Sequence, residues 1–402
     1  MSSYASLLKT PGVARIIAAQ LTARFPNGML SLAFLLHIEH ITGSYGQAGL
    51  VLAATSVGQA IAGPLTSRWM GVWSMRKVLA LTLVVSAACI AVIALVTMTI
   101  PFYMLFGFLA GLSTPPIQPA VRTIYPKMVT SKQLTPLFSL DASAQEIIWV
   151  SGPVITTLIA LQVSTVSAIL FALVFLIGGG AWFILSPEVG RVRIPRSRRG
   201  FGKVLAKPPV MLATITGFLL IGACAAVEAS VVSAFGEGGT ESGIVLALFA
   251  VGSLIGGLAL GHIPIGPWAM SRRMLLVFVG MALATVSLDF WWLTIALLIA
   301  GVGIAPALAV MFAIVSASVR FSETAEAYGW VGTGQLIGAA IGSACAGFLI
   351  DAFGPTGGFY AAAGFALVGF IFPTVFRRWH PDLRGRDASP VPDTEPIAVQ
   401  PS

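Results

Sequence analysis

The sequence predicts an all-α membrane protein of twelve transmembrane helices in two six-helix, pseudo-symmetric bundles. Three observations carry that prediction. Apolar side chains make up 57% of the 402 residues and charged ones only 9%, against about a quarter charged in soluble domains. The apolar residues fall into runs long enough to cross a bilayer of ~30 Å as helices. All but one of the 23 lysines and arginines then sit on one side of the topology, as the positive-inside rule requires.

Taken in order, the predicted segments cover 12–36, 46–67, 77–98, 101–121, 137–160, 165–186, 209–233, 242–262, 274–290, 292–317, 327–350 and 356–376. Short connections make neighbours antiparallel. Segment one carries Pro26 within Phe25-Pro26-Asn27-Gly28, and segment four carries Pro115, Pro116 and Pro119. Proline frees backbone carbonyls, which membranes tolerate where a break lines a cavity or buries in protein. Segment ten has the same feature at Pro306. The basic, proline-bearing connection from Pro187 to Pro208 divides residues 1–186 from 209–377. Its run IPRSRRGFGKVLAKP is expected to lie on anionic inner-leaflet lipid. Residues 378–402 end in a polar, proline-rich tail expected to be disordered. Glu237, Glu241, Asp289 and Asp351 are read as exterior loop charges.

The two halves repeat. Residues 47–68 align without gaps on 241–262, pairing Gly49 with Gly243, Gly58 with Gly252 and Gly63 with Gly257. A second set holds one constant offset: Ala110-Gly111 with Ala300-Gly301, Pro116 with Pro306, Gln145 with Gln335 and Gly152 with Gly342. Parallel repeats of six helices are a carrier architecture, with the substrate site near the midplane between them.

The charge pattern places both termini in the cytoplasm of a cell-membrane protein. It reads as a topology signal and not as nucleic-acid binding. The odd set Cys89, Cys224 and Cys345 lies in apolar segments and reads as packing residues. His37, Glu39 and His40 read as a solvated loop, since a two-histidine metal site needs further ligands. There is no GxxxxGK[ST] signature and no nucleophile–base pair, so no enzyme activity, cofactor or metal is expected. The chain is expected to be a monomer.

Together these features resemble the major facilitator superfamily over residues 10–377, and most resemble its bacterial efflux-type members. The loop after segment two carries a degraded form of the family's cytoplasmic motif: Gly63-Pro-Leu65-Thr-Ser67-Arg68, Gly71 and Arg76-Lys77, with Ser67 where an aspartate is usual. Gly152-Pro153 matches part of the drug/proton antiporter motif in segment five. The resemblance implies that segments 1, 4, 7 and 10 line a central cavity and that one half rocks against the other.

Ionisable residues inside the membrane cost ~2.5–3.5 kcal/mol each on insertion scales and so mark interiors or paths. Segment five carries Asp141, Gln145 and Glu146, and segment one carries Arg24. Counted from the predicted helix starts, Glu146 lies ~14 Å deep and Arg24 ~20 Å deep. The expectation is a pair, with Glu146 exchanging a proton and Arg24 setting its affinity. A structural ion pair is the alternative. Asp141, only ~6 Å in, is counted with them as a proton-coupling residue, and its plainer reading is a pairing with Arg122 or Lys132. Expected cavity groups are Gln20, Asn27, Ser31, Thr114, Gln118, Phe218 and Glu228. So few hydrogen-bonding groups suit a hydrophobic or amphipathic substrate better than a sugar. The leading reading is proton-coupled export of such compounds. An uptake carrier or uniporter for a small metabolite, and a non-transporting membrane sensor or scaffold, stay open.

Overall fold

The computed structural model describes residues 2–197, 200–235, 240–261, 263–385 and 388–393. Glu237, Arg198, Arg199, Arg386 and the tail beyond Asp393 lie outside them. The described residues are helical apart from turns, loops and one isolated parallel bridge, Arg320 to Val391. A short helix, α1 (Ser2–Lys9), precedes the bundle. The first half follows as α2 (Val13–Arg24), α3 (Leu30–Thr42), α4 (Tyr45–Val72), α5 (Met75–Leu95), α6 (Ile100–Leu112), α7 (Ile117–Ile124), α8 (Ser131–Gln162) and α9 (Thr165–Leu185). The connection holds α10 (Pro187–Arg191). The second half comprises α11 (Pro208–Phe235), α12 (Thr240–Leu260), α13 (Ala269–Ala284), α14 (Phe290–Ser318), α15 (Thr324–Phe353) and α16 (Pro355–Val375).

All twelve predicted segments are present among the described residues. Ten form spans long and apolar enough to cross a membrane. The other two differ for local reasons. The first is split into α2 and α3 by a tight turn at Phe25–Gly28, where Pro26 supplies no amide hydrogen. The ninth, α13, has only 16 residues and begins at Ala269, five residues before the predicted start. The fourth is interrupted between α6 and α7 at Pro115 and Pro116. Pro119 falls in the first turn of α7, where a missing donor costs nothing. Pro306 stays inside the unbroken α14. Segment five runs from Ser131 instead of 137, so Asp141 lies ~15 Å and Glu146 ~22 Å along it.

The repeat seen in the sequence is a packing repeat. In the first half, Gly58 of α4 meets the backbone of Phe108 and Gly111 on α6. In the second, Gly252 of α12 meets Leu298 and Gly301 on α14 in the same way. Without a hydrophobic drive in lipid, close backbone approach is what joins such helices, and a Cβ at either glycine would prevent it.

The halves meet through α4 with α15, α7 with α15, and α8 with α12 and α14. Their contacts gather toward the end that carries the basic loops. Arg68 Nη1 reaches Glu326 Oε2 at 2.7 Å, Thr333 donates to the Ala60 carbonyl at 2.8 Å, and Ser139 donates to the Gly257 carbonyl at 2.6 Å. Phe138 packs on both Phe312 and Tyr328. Toward the opposite end, Leu50, Leu158 and Phe348 on these same helices are exposed.

The connection is seated on this closed end. Gly202 donates its backbone N–H to Glu326 Oε1 at 2.8 Å, and Phe201 stacks on Trp330. The tail departs from the expected disorder as far as Asp393. Leu383 N–H bonds the Ile265 carbonyl, and Ala388 is buried. Composition suggested disorder because what holds this tail is backbone hydrogen bonding, which polar composition does not encode.

Candidate functional site

Two polar loci lie within the helical body. The first is in the first half, where Asp141 of α8 is the hub and is fully buried. Its Oδ1 accepts from Gln20 Nε2 at 3.0 Å and from the Tyr125 hydroxyl at 3.1 Å. Its Oδ2 accepts from Arg122 Nε at 3.2 Å. Arg24 comes within 3.8 Å of the same carboxylate. Arg24 also donates to Gln20 at 2.8 Å and to Gln145 at 2.6 Å. Half-buried Gln118 completes the cluster. With its amide oriented by its neighbours, its oxygen accepts from Arg122 at 2.6 and 2.8 Å and from Arg24 at 3.2 Å.

The helix period explains this grouping. Gln20 and Arg24 are four apart on α2, and Asp141 and Gln145 are four apart on α8, so each pair shares a face. Glu146 follows Gln145 by one residue, ~100° around the helix. It therefore turns away, and the expected Arg24–Glu146 pair does not form. Asp141 meets Arg122, as expected. Gln20, expected in the substrate cavity, is instead fully buried and bonded within this network.

Arg122 also reaches across the molecule. Its guanidinium lies 3.3 Å from the centre of the Phe312 ring on α14. Tyr328 fixes that turn of α14 by donating to the Phe312 carbonyl at 3.0 Å. One side chain thus serves an ion pair in its own half and a cation–π contact with the other.

The second locus bridges the halves. The Ser253 hydroxyl of α12 donates to Glu146 Oε1 at 2.8 Å. The Ser253 hydroxyl oxygen in turn accepts from the Ala305 backbone N–H at 3.2 Å, one residue before Pro306. Glu228 of α11 is exposed and lies within electrostatic reach of Glu146. The locus therefore joins a carboxylate of the first half to a hydroxyl of the second.

The remaining predicted residues separate. Asn27 and Ser31 are exposed at the α2–α3 break. Thr114 bonds back to the Ala110 carbonyl. Phe218 packs on Phe365 inside the second half, which fills space in that bundle. Gly152 lies against Gly28, so part of the segment-five motif serves to seat the broken first span on α8. In the loop motif, Arg68 binds Glu326, Gly71 lies against the Pro195 carbonyl, and Arg76 donates to the carbonyls of Ile184 and Ser186. Ser67 is buried, Gly63 touches Gly329, and Lys77 is exposed. Sequence reasoning missed Glu326, Ser253 and Tyr125. Glu326 was legible only as an acid near the start of segment eleven; the serine and tyrosine had no signal of their own.

A family model described as the Major Facilitator Superfamily matches residues 16–288 and 226–399. No curated protein matches the sequence. Among solved structures, the chain is similar to the human organic anion transporter MFSD10 (TETRAN), with 17% identity, TM-score 0.70, and 90% of this chain and 98% of that one covered. It is also similar to the E. coli fucose:proton symporter FucP, at 14% identity and TM-score 0.68 over 90% and 98% of the chains. A bacterial homologue of the iron transporter ferroportin, in an outward-facing state, matches at 14% identity and TM-score 0.68 over 91% and 98%.

Proposed function

We propose that this chain, which belongs to the Major Facilitator Superfamily, is a proton-coupled secondary transporter that exports small hydrophobic or amphipathic compounds by alternating access. The observation that carries this reading is the Ser253–Glu146 hydrogen bond between the halves. A carboxylate at a rocking interface has different partners in the two end states. Its proton affinity then differs between them, which is the requirement for coupling a proton to the motion. Glu228 supplies a second acid nearby, accessible to a cationic group or a proton. The Arg24–Asp141–Arg122 network keeps the first half in one piece during the movement.

In this reading both termini and the basic loops face the cytoplasm, and the Arg68–Glu326 pair with the Gly63–Gly329 contact of α4 and α15 holds that end shut. The protein works as a monomer in the cell membrane. A second reading, transport of an organic anion, is favoured by the two guanidiniums that share the single carboxylate of Asp141. The test uses purified protein in liposomes with an imposed pH gradient. Substrate-dependent proton movement is expected in the wild type and lost in Glu146→Gln. Full proton-driven transport by Glu146→Gln would refute the coupling role, and an anionic substrate would select the second reading.

A further inference from the structure

The segment after the last membrane helix reaches two separate connections of the second half. Leu383 N–H donates to the Ile265 carbonyl at 2.9 Å, in the loop between α12 and α13. Farther on, Val391 pairs in parallel with the chain between α14 and α15. Its N–H donates to the Val319 carbonyl and its carbonyl accepts from Phe321 N–H, both at 3.0 Å. Asp393 then accepts from the hydroxyl and the backbone N–H of Ser322. Val319, Phe321 and Ser322 of that connection are thus hydrogen-bonded to the tail, with Arg320 as the bridge position between them.

The connection seized in this way also faces the first half and the interdomain linker. Lys127 of the first half lies over the Phe321 ring at 4.4 Å. Lys207, at the end of the linker, binds Glu323 at 2.7 Å. One turn farther on, Glu326 takes Arg68. Backbone hydrogen bonds fix the position of this strip more tightly than side-chain contacts on a free loop would. An ordered strip loses less entropy when it docks on the first half, so closure is favoured.

We propose that Leu383, Val391 and Asp393 act as a clamp that stabilises the state closed at the basic end, by holding the α14–α15 connection in its docking geometry. The proposal rests on alternating access between the two halves, and its test separates the two ideas. Spin labels are placed at Lys77→Cys and Arg272→Cys, exposed positions at the basic end of each half, in a chain with Cys89, Cys224 and Cys345 replaced by alanine. Interlabel distances are measured in liposomes at neutral and acidic pH for the full chain, for a chain ending at Asp382, and for Val391→Pro. The proline deletes one donor of the clamp and touches no helix. The full chain is expected to give one short distance at neutral pH, and both variants a shift toward a second, longer one. Helical content and melting temperature stay at the full-chain values. Distances that lengthen equally on acidification in all three proteins, and match at neutral pH, would overturn the clamp and leave alternating access standing. An unchanged single distance in every protein and condition would overturn both.

Discussion

Asp141 and Glu146 are five residues apart on one helix and do different work. Asp141 neutralises part of two buried guanidiniums and has no exposure to water. Removing one member of such a buried set strands the others at a cost of about 3–5 kcal/mol. Asp141→Asn is therefore expected to lower the melting temperature and the yield of folded protein in detergent, whatever the pH. Glu146→Gln is expected to melt close to wild type, because an amide oxygen still accepts from Ser253. Its loss should appear only in proton-driven transport. Equal destabilisation by the two variants would contradict this division of roles. The sequence made both acids visible as charges inside an apolar run. It did not reveal their partners until they were sorted by helical face, which separates Gln145 from Glu146 and joins Gln145 to Asp141.

At the scale of elements, the contact of α4 with α15 depends on having no side chain at Gly63 and Gly329. A Cβ on Gly329 would stand 2.5 Å from the Gly63 carbonyl oxygen. Overpacking of this kind costs ~1–3 kcal/mol, and here the cost falls on the closed state alone. Gly329→Ala should raise the labelling of a cysteine at Thr333 by an impermeant thiol reagent added from the basic side; unchanged labelling would show that the helices yield instead. The tail has its own pH signature. His380 is buried beside Arg273, and burial holds its pKa below the usual histidine value of 6.5, with the Pro381 carbonyl and Asp382 opposing the shift. A histidine with a depressed folded pKa binds its proton better when released. Docking at this position is therefore fully favoured above 6.5 and weakens as pH falls through that value. Limited proteolysis between His380 and Asp393 should accelerate over that range, and His380→Phe should remove the dependence. Elements were legible where apolar length alone decides, which is why the segments agree with the helices to within six residues at either end. The breaks at Pro26 and at Pro115–Pro116 were legible from proline chemistry. The short α13 and the seated tail were not, because both are settled by contacts with distant parts of the chain.

At the scale of the molecule, one carboxylate ties three parts together: Glu326 on α15 holds Arg68 from the first half and the Gly202 amide from the linker. Reversal of either charge, Arg68→Glu or Glu326→Arg, is expected to weaken closure and slow transport severalfold, since breaking a buried hydrogen-bonded pair costs ~2–5 kcal/mol. The double reversal should recover part of the loss, and no recovery would mean that the amide contact dominates. The interior of the first half holds a short inventory of charge. Arg24 and Arg122 are set against Asp141 and Glu146. With Glu146 ionised the sum is zero; with a proton bound it is plus one. The loaded domain then moves as a unit cation through the field of the bilayer, at up to ~2.3 kcal/mol per 100 mV. Voltage, and not acidity alone, would drive the loaded and empty halves of the cycle unequally, and rapid solution exchange on a supported bilayer should record a capacitive current that Glu146→Gln abolishes.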